Sequence, residues 1–224
     1  MGYIWNFKVV WENLEFFQKG IYFTLLMSAQ VYILSLLLSV LFLIGLKSRF
    51  QFLRFIIGGC LEVFRNIPLL VFLIWVYYAL PILINLKITA WEACLWTFAL
   101  NLSGFLTASL KGKLESIPRS QYHSGLVLGL NKVQIWYHII LPQVFRASLP
   151  DLLNFLILAI KSTSLASVIA IPELLYQSNV LISNTYRPLE VYSVLALCYT
   201  LILLPLSLGA GLLGKKLQLS TKNL

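Results

Sequence analysis

Lys161 has the strongest claim to chemistry in this chain. It stands in the middle of the apolar stretch 147–171, where Asp151 is the one other charged residue. An ionisable group in such a position is costly in lipid, so it faces a cavity, a partner group or a substrate. Two readings follow. Lys161 meets a substrate carboxylate on a pathway, or it is held in a structural pair with Asp151, with Glu62 or with helix carbonyls. Thr163 and Ser164 follow it closely and either line the same path or join neighbouring helices through their hydroxyls. Arg65 lies just before Pro68. A proline frees a carbonyl in the preceding turn, and Arg65 is the donor expected to tie that break together rather than to touch substrate.

Catalysis within the chain is not expected. The two histidines, His123 and His138, share one polar segment without a suitably placed carboxylate or reactive thiol, so no nucleophile and base pair can be assembled. Cys60, Cys94 and Cys198 are far apart in or beside apolar runs, without CxxC spacing, and read as packing residues rather than a metal site or disulfide framework. Residues 211–216 read GLLGKK, which is not the spacing of a phosphate-binding loop. No cofactor is expected on this chain.

The elements that position these residues follow from composition. The chain has 224 residues, is 59% hydrophobic and only 11% charged, against about 25% charged in a soluble domain. Its mean hydropathy is +0.85. Lipid offers no hydrogen bonds to the backbone, so a spanning segment must be a helix of roughly 20 apolar residues. Residues 21–46, 66–86, 93–110 and 191–214 carry no charge, and 147–171 forms a fifth span. The expected fold is an all-α integral membrane protein with about five transmembrane helices. The net charge of +9 is topological rather than a nucleic-acid footprint, because the basic residues are scattered between apolar runs. With the N-terminus outside, the cytoplasmic side holds Lys47, Arg49, Arg54, Lys111, Lys113, Arg119, Lys132, Arg146, Lys215, Lys216 and Lys222, and the outside only Lys8, Lys19, Lys87 and Arg187. N-out, C-in follows from that asymmetry. Residues 1–19 read as an interfacial segment, either a helix lying on the outer surface or a short aromatic anchor built on Trp5, Phe7, Trp11, Phe16 and Phe17. With Lys8, Glu12, Glu15 and Lys19 ahead of the first apolar run, no removable signal peptide is expected. Residues 20–215 form the membrane domain and 216–224 a cytoplasmic tail.

The longest cytoplasmic segment runs over about 111–146. It reads as Pro118, a helical stretch over 119–128, Gly129 as a helix stop, and a second amphipathic stretch ending at Leu141-Pro142. Two short helices at an angle suit a docking element, with the small Ser124 and Gly125 allowing a partner to approach. They equally suit a helix pair resting on the membrane surface.

The stretch Gln121-Tyr122-His123-Ser124-Gly125-Leu126-Val127-Leu128-Gly129-Leu130, followed by Leu141-Pro142, resembles the coupling loop of bacterial ABC importer permeases. Phe64-Arg65-Asn66-Ile67-Pro68-Leu69-Leu70-Val71 and Lys161-Ser162-Thr163-Ser164-Leu165 resemble motifs of their polar amino-acid uptake branch, as do Gly20, Thr24, Leu25 and Ser28, Pro172-Glu173-Leu174 and the lead Arg187-Pro188-x-Glu190-Val191-Tyr192. The likeness covers about 20–215. It implies a subunit of the bacterial inner membrane that forms half of a pathway for polar amino acids, with glutamate, aspartate or glutamine favoured. It also implies a second permease subunit, identical or related, ABC ATPase subunits that bind the ATP, and an extracytoplasmic binding protein. His123, Ser124, Gly125, Gly129, Leu141 and Pro142 would couple to the ATPase, and Lys161, Thr163, Ser164 and Arg65 would be candidates for the pathway. The sequence departs from the pattern at the coupling acid, where His123 stands, at the fourth-helix acid, where Ser162 stands, and in the third span, where Gly104, Phe105 and Ala108 replace an Ala-Tyr-x-x-Glu signature. The rivals are a channel or secondary carrier working without ATP, and a structural membrane scaffold.

Overall fold

Backbone amides that lose water must pair along their own helix, and this chain does so almost from end to end. The computed structural model describes residues 3–222, with side chains over 3–217. In chain order the helices are α1 (Lys8–Trp11), α2 (Leu14–Leu46), α3 (Gln51–Asn66) and α4 (Leu69–Ile74), then a wide π turn over Trp75–Ala79 leading into α5 (Leu80–Ile84). They continue with α6 (Ala90–Glu115), α7 (Arg119–Val127) and α8 (Lys132–Gln134), a second π turn over Ile135–Ile140, and α9 (Leu141–Ser162), which tightens to a 3₁₀ stretch over Thr163–Ile169. Two more, α10 (Leu174–Thr185) and α11 (Pro188–Lys222), complete the order. Four of these rods, Leu14–Leu46, Ala90–Glu115, Lys132–Ile169 and Pro188–Leu217, are long and apolar enough to cross a membrane. The bent pair Gln51–Asn66 and Leu69–Ile84 meets the same test of length and hydropathy only when its two arms are taken together.

Several boundaries differ from the sequence reading. Residues 14–19, assigned to the interfacial segment, are the first turns of α2, where Glu15 sits favourably against the positive end of the helix dipole. Residues 216–222, assigned to a tail, continue α11. The span expected over 66–86 begins instead at a sharp break, and an additional helix, α3, precedes it at 108°. Leu141-Pro142 does not end a helix. Pro142 falls in the first turn after a π turn, just as Pro81 follows the π turn at Trp75–Ala79. The wider turn accommodates the missing N–H and the ring that would otherwise strike the preceding carbonyl.

The centre of the bundle is α2 against α6, with α9 across both. On α2 the buried positions include Gly20, Thr24, Met27, Ser28, Val31, Ser35 and Ser39, a helical stripe made mostly of small residues. Small residues let backbones approach where lipid supplies no hydrophobic drive for association. A Cβ on Gly20 would lie 2.7 Å from Leu174 Cα, so α2 and α10 are in backbone contact there. The serines are satisfied within their own helix: Ser28, Ser35 and Ser39 donate to Leu25, Tyr32 and Leu36 carbonyls at 2.8–3.0 Å. Tyr32 reaches across to the Leu152 carbonyl at 2.9 Å and ties α2 to α9. Met27, Leu73, Cys94, Phe98, Leu106 and Ala159 fill the central core, and Phe17, Leu174, Leu181 and Val191 fill a second one where α10 and the first turns of α11 meet the start of α2. Leu197, Leu201, Leu204, Leu208 and Leu212, three or four residues apart on α11, stay exposed and form a face suited to lipid.

The two ends of the bundle are marked by contacts between distant segments. At one end the Tyr3 hydroxyl and the Asn6 amide both donate to the buried Glu190 carboxylate, the latter at 2.9 Å. Arg187 donates to the Ile4 carbonyl at 3.1 Å and lies 3.7 Å from Glu190. At the opposite end Lys47, closing α2, lies over the Trp136 ring at 4.4 Å. The lead-in to α2 and the start of α11 thus share one side, and the end of α2 and the loop after α6 share the other, as an odd number of crossings requires.

Candidate functional site

The break between α3 and α4 is a polar feature built by two helices together. Pro68 cannot donate a backbone hydrogen bond, which frees the Phe64 carbonyl four residues earlier. Asn101 on α6 supplies the missing donor, its side-chain amide meeting that carbonyl at 2.6 Å. This corrects the expectation that Arg65 ties the break. The Arg65 guanidinium instead pairs with Glu62 one turn back on the same helix. Its stem lies against Gly104, where an added Cβ would come within 2.7 Å of Arg65 Cγ. Asn66 donates to the Glu62 carbonyl at 2.8 Å and to its carboxylate at 3.3 Å.

Beside this break lies a cavity of about 360 Å³, lined among others by Arg65, Asn66, Asn101, Phe105 and Ser162. Its polar groups are two amides, a hydroxyl and a guanidinium whose charge is matched by Glu62. Of the four pathway residues expected from the sequence, Arg65 lines this cavity and Lys161, Thr163 and Ser164 do not. Lys161 is exposed on α9. Both carboxylates considered as its partners are engaged elsewhere: Asp151 with Lys113 at 3.2 Å and Ser109 at 2.8 Å, and Glu62 with Arg65. Thr163 is fully buried and donates to the Ile160 carbonyl at 2.7 Å, and Ser164 donates to the Lys161 carbonyl at 2.8 Å. Both hydroxyls close turns of their own segment in these bonds, and Thr163 also meets the Tyr199 hydroxyl of α11, the helix-joining role expected of it.

The loop after α6 is built by strong local signals. Gly129 has φ +77°, and the Leu130 and Gly129 amides return to the Gly125 and Leu126 carbonyls at 3.1 and 3.0 Å, a Schellman stop for α7. Asn131 and Gln134 then exchange side-chain and backbone bonds at 2.9 Å, a capping box that starts α8 at once. His123, Ser124, Gly129, Leu141 and Pro142 are exposed. Gly125, expected on a docking face, is buried instead, and a Cβ there would meet Ile135 Cγ1 at 2.8 Å. Its smallness serves the packing of the loop on itself. The outward apolar surface comes from Val127 and Leu128, 87% and 76% exposed.

Sequence reasoning did not assign roles to Asn101, Ser162, Glu173 or Glu190. Glu173 is buried and caps α10, accepting from the Leu175 and Tyr176 amides at 2.9 and 2.7 Å and from the Tyr199 hydroxyl at 3.2 Å. The signal for it was present in Pro172-Glu173 before an apolar helix, an acidic residue at a helix start.

Comparison with known proteins places this architecture. Residues 35–219 match the family described as the binding-protein-dependent transport system inner membrane component. Among curated relatives, the probable glutamine ABC transporter permease protein GlnM of Bacillus subtilis is 29% identical over 215 residues, covering 96% of this chain and 99% of that protein. The glutamine transport system permease protein GlnP of Escherichia coli K12 is 34% identical over 160 residues, covering 71% and 73%. A crystal structure of an amino acid ABC transporter with histidines superposes with a TM-score of 0.87 at 23% identity, over 96% of this chain and all of that one. The chain belongs to that family, among the amino-acid ABC transporter permeases. It is a multi-pass membrane transport subunit, not an enzyme, and ATP is hydrolysed by a separate partner.

Proposed function

We propose that this chain carries a polar amino acid of the glutamine type through the cavity at the α3–α4 break. The carrying observation is the lining: Asn66, Asn101 and Ser162 offer neutral donors and acceptors, and the Arg65 charge is offset by Glu62. Such a lining favours an amide side chain over a free carboxylate or a cation, because a charged group would lack an unpaired opposite charge. The glutamine permeases among the relatives support the same class. Lys161, exposed on the neighbouring turn, is positioned to receive a substrate carboxylate on its approach. The subunit pairs with a second permease chain, sits N-outside in the bacterial inner membrane and receives substrate from an extracytoplasmic binding protein. It docks on the ATPase through α7, with His123, Ser124, Val127, Leu128 and Gly129 outermost, and motion of that partner rocks the helices.

A carrier driven by protons would need an available intramembrane acid. Glu62, Asp151, Glu173 and Glu190 each hold local partners, which weighs against that reading.

Uptake into proteoliposomes holding the permease, its ATPase and its binding protein tests the proposal. Glutamine should be taken up in preference to glutamate and arginine. Ser162→Asp should shift preference toward arginine, and Lys161→Met should lower uptake while the ATPase stays bound. Wild-type preference for arginine, or unchanged uptake by Lys161→Met, overturns the assignment.

A further inference from the structure

A second cleft of about 360 Å³ opens at the cytoplasmic end, where α2 and α6 stop and α7 begins. Lys47, Lys111 and Arg119 line it, with Glu115 as the one acidic lining residue, beside the rings of Tyr122 and Trp136. Lys111 and Glu115 lie 3.9 Å apart, both well exposed. Among the described residues Lys47 and Arg119 have no carboxylate within ion-pair distance, although Glu115 is near enough to Lys47 to favour its charged form. The N-terminus of α7 faces the same region through Pro118 and Arg119, and no side chain caps it. The remaining wall is leucine, isoleucine and proline.

We propose that this cleft binds the phosphate headgroup of an anionic phospholipid of the inner leaflet. Three features favour that occupant. The site carries excess positive charge plus an uncapped helix start, the combination that holds phosphate oxygens. It sits where apolar helices end, the depth of the headgroups, and basic pockets between helices on this side recognise anionic lipids. Its walls are apolar, as the first carbons of a glycerolipid require, and Trp136 and Tyr122 are the ring types that settle at a lipid–water boundary. Burial lowers the Lys47 pKa from its usual value while the Glu115 charge opposes that shift, and a phosphate beside the ammonium would likewise favour its charged form.

The site does not depend on which amino acid is transported. Native mass spectrometry of the detergent-purified full chain tests it, with dioleoylphosphatidylglycerol or dioleoylphosphatidylcholine titrated in. Phosphatidylglycerol should bind as a discrete adduct more tightly than phosphatidylcholine. Lys47→Glu with Arg119→Glu should weaken that adduct by roughly thirtyfold or more, at about a fivefold loss per cation removed. The milder pair Lys47→Gln with Arg119→Gln should weaken it in the same direction and serves if the first variant does not fold. Equal binding of the two lipids, or phosphatidylglycerol binding unchanged in both variants, overturns the proposal. Displacement of the lipid by millimolar inorganic phosphate overturns it in favour of a free anion site, and loss of the adduct on adding the ATPase overturns it in favour of a protein contact.

Discussion

The Asn101 side chain replaces the hydrogen bond that Pro68 denies to the Phe64 carbonyl. One helix thereby stabilises a bend in another, and the cavity exists because that bend persists. Asn101→Leu leaves the carbonyl without its donor and should cost about 1–3 kcal/mol. Pro68→Ala in the same chain returns an N–H that can follow the ordinary helical pattern. The double variant should therefore regain thermal stability in detergent while losing transport, because the bend that forms the cavity relaxes.

Close approach of α2 and α10 is tested at Gly20. Its Cβ would strike Leu174 backbone at 2.7 Å, so Gly20→Ala should cost about 1–3 kcal/mol. Gly58→Ala, inside α3 where nothing lies within 4 Å, should leave the melting temperature no lower and raise it slightly, because alanine is the better helix former. Equal behaviour of the two would mean that this crossing yields freely.

Gly129 closes α7 at φ +77°. Gly129→Ala should cost about 1 kcal/mol of local stability. Gly129→Asp adds a charge on the outward surface as well, and co-purification of the ATPase should fall further than with alanine.

Tyr3 holds its proton more tightly than the usual 10.0, first because it donates to Glu190 and then through burial. A phenol whose pKa rises on folding contributes stability below its unfolded value and loses it as pH climbs through the folded one. The N-terminal contact should thus persist to pH 10 and release above it, seen as tyrosinate absorbance that is missing in Tyr3→Phe.

The spans were legible because long charge-free runs leave few alternatives in lipid, and the stop at Gly129 was legible because its chemistry is local. Asn101 was not. It lies inside the run 93–110, and its acceptor is 37 residues away. Glu190 meets Tyr3 across 187 residues, a pairing no local pattern announces. Arg65 was misassigned because a nearby cation suggested itself as the donor, while the structure uses that cation to neutralise Glu62. Gly125 was read by size alone, and size cannot say which side of a helix is covered.

The π turn at Ile135–Ile140 sets the angular phase of everything that follows it. Such a turn accommodates one residue more than an α turn, so the azimuth of α9 is fixed by a single surplus residue. Losing one residue there would swing Ser162 and Lys161 about 100° around their axis, carrying the hydroxyl off the cavity wall with every side chain of α9 otherwise intact. Length in this stretch is therefore under tighter constraint than residue type.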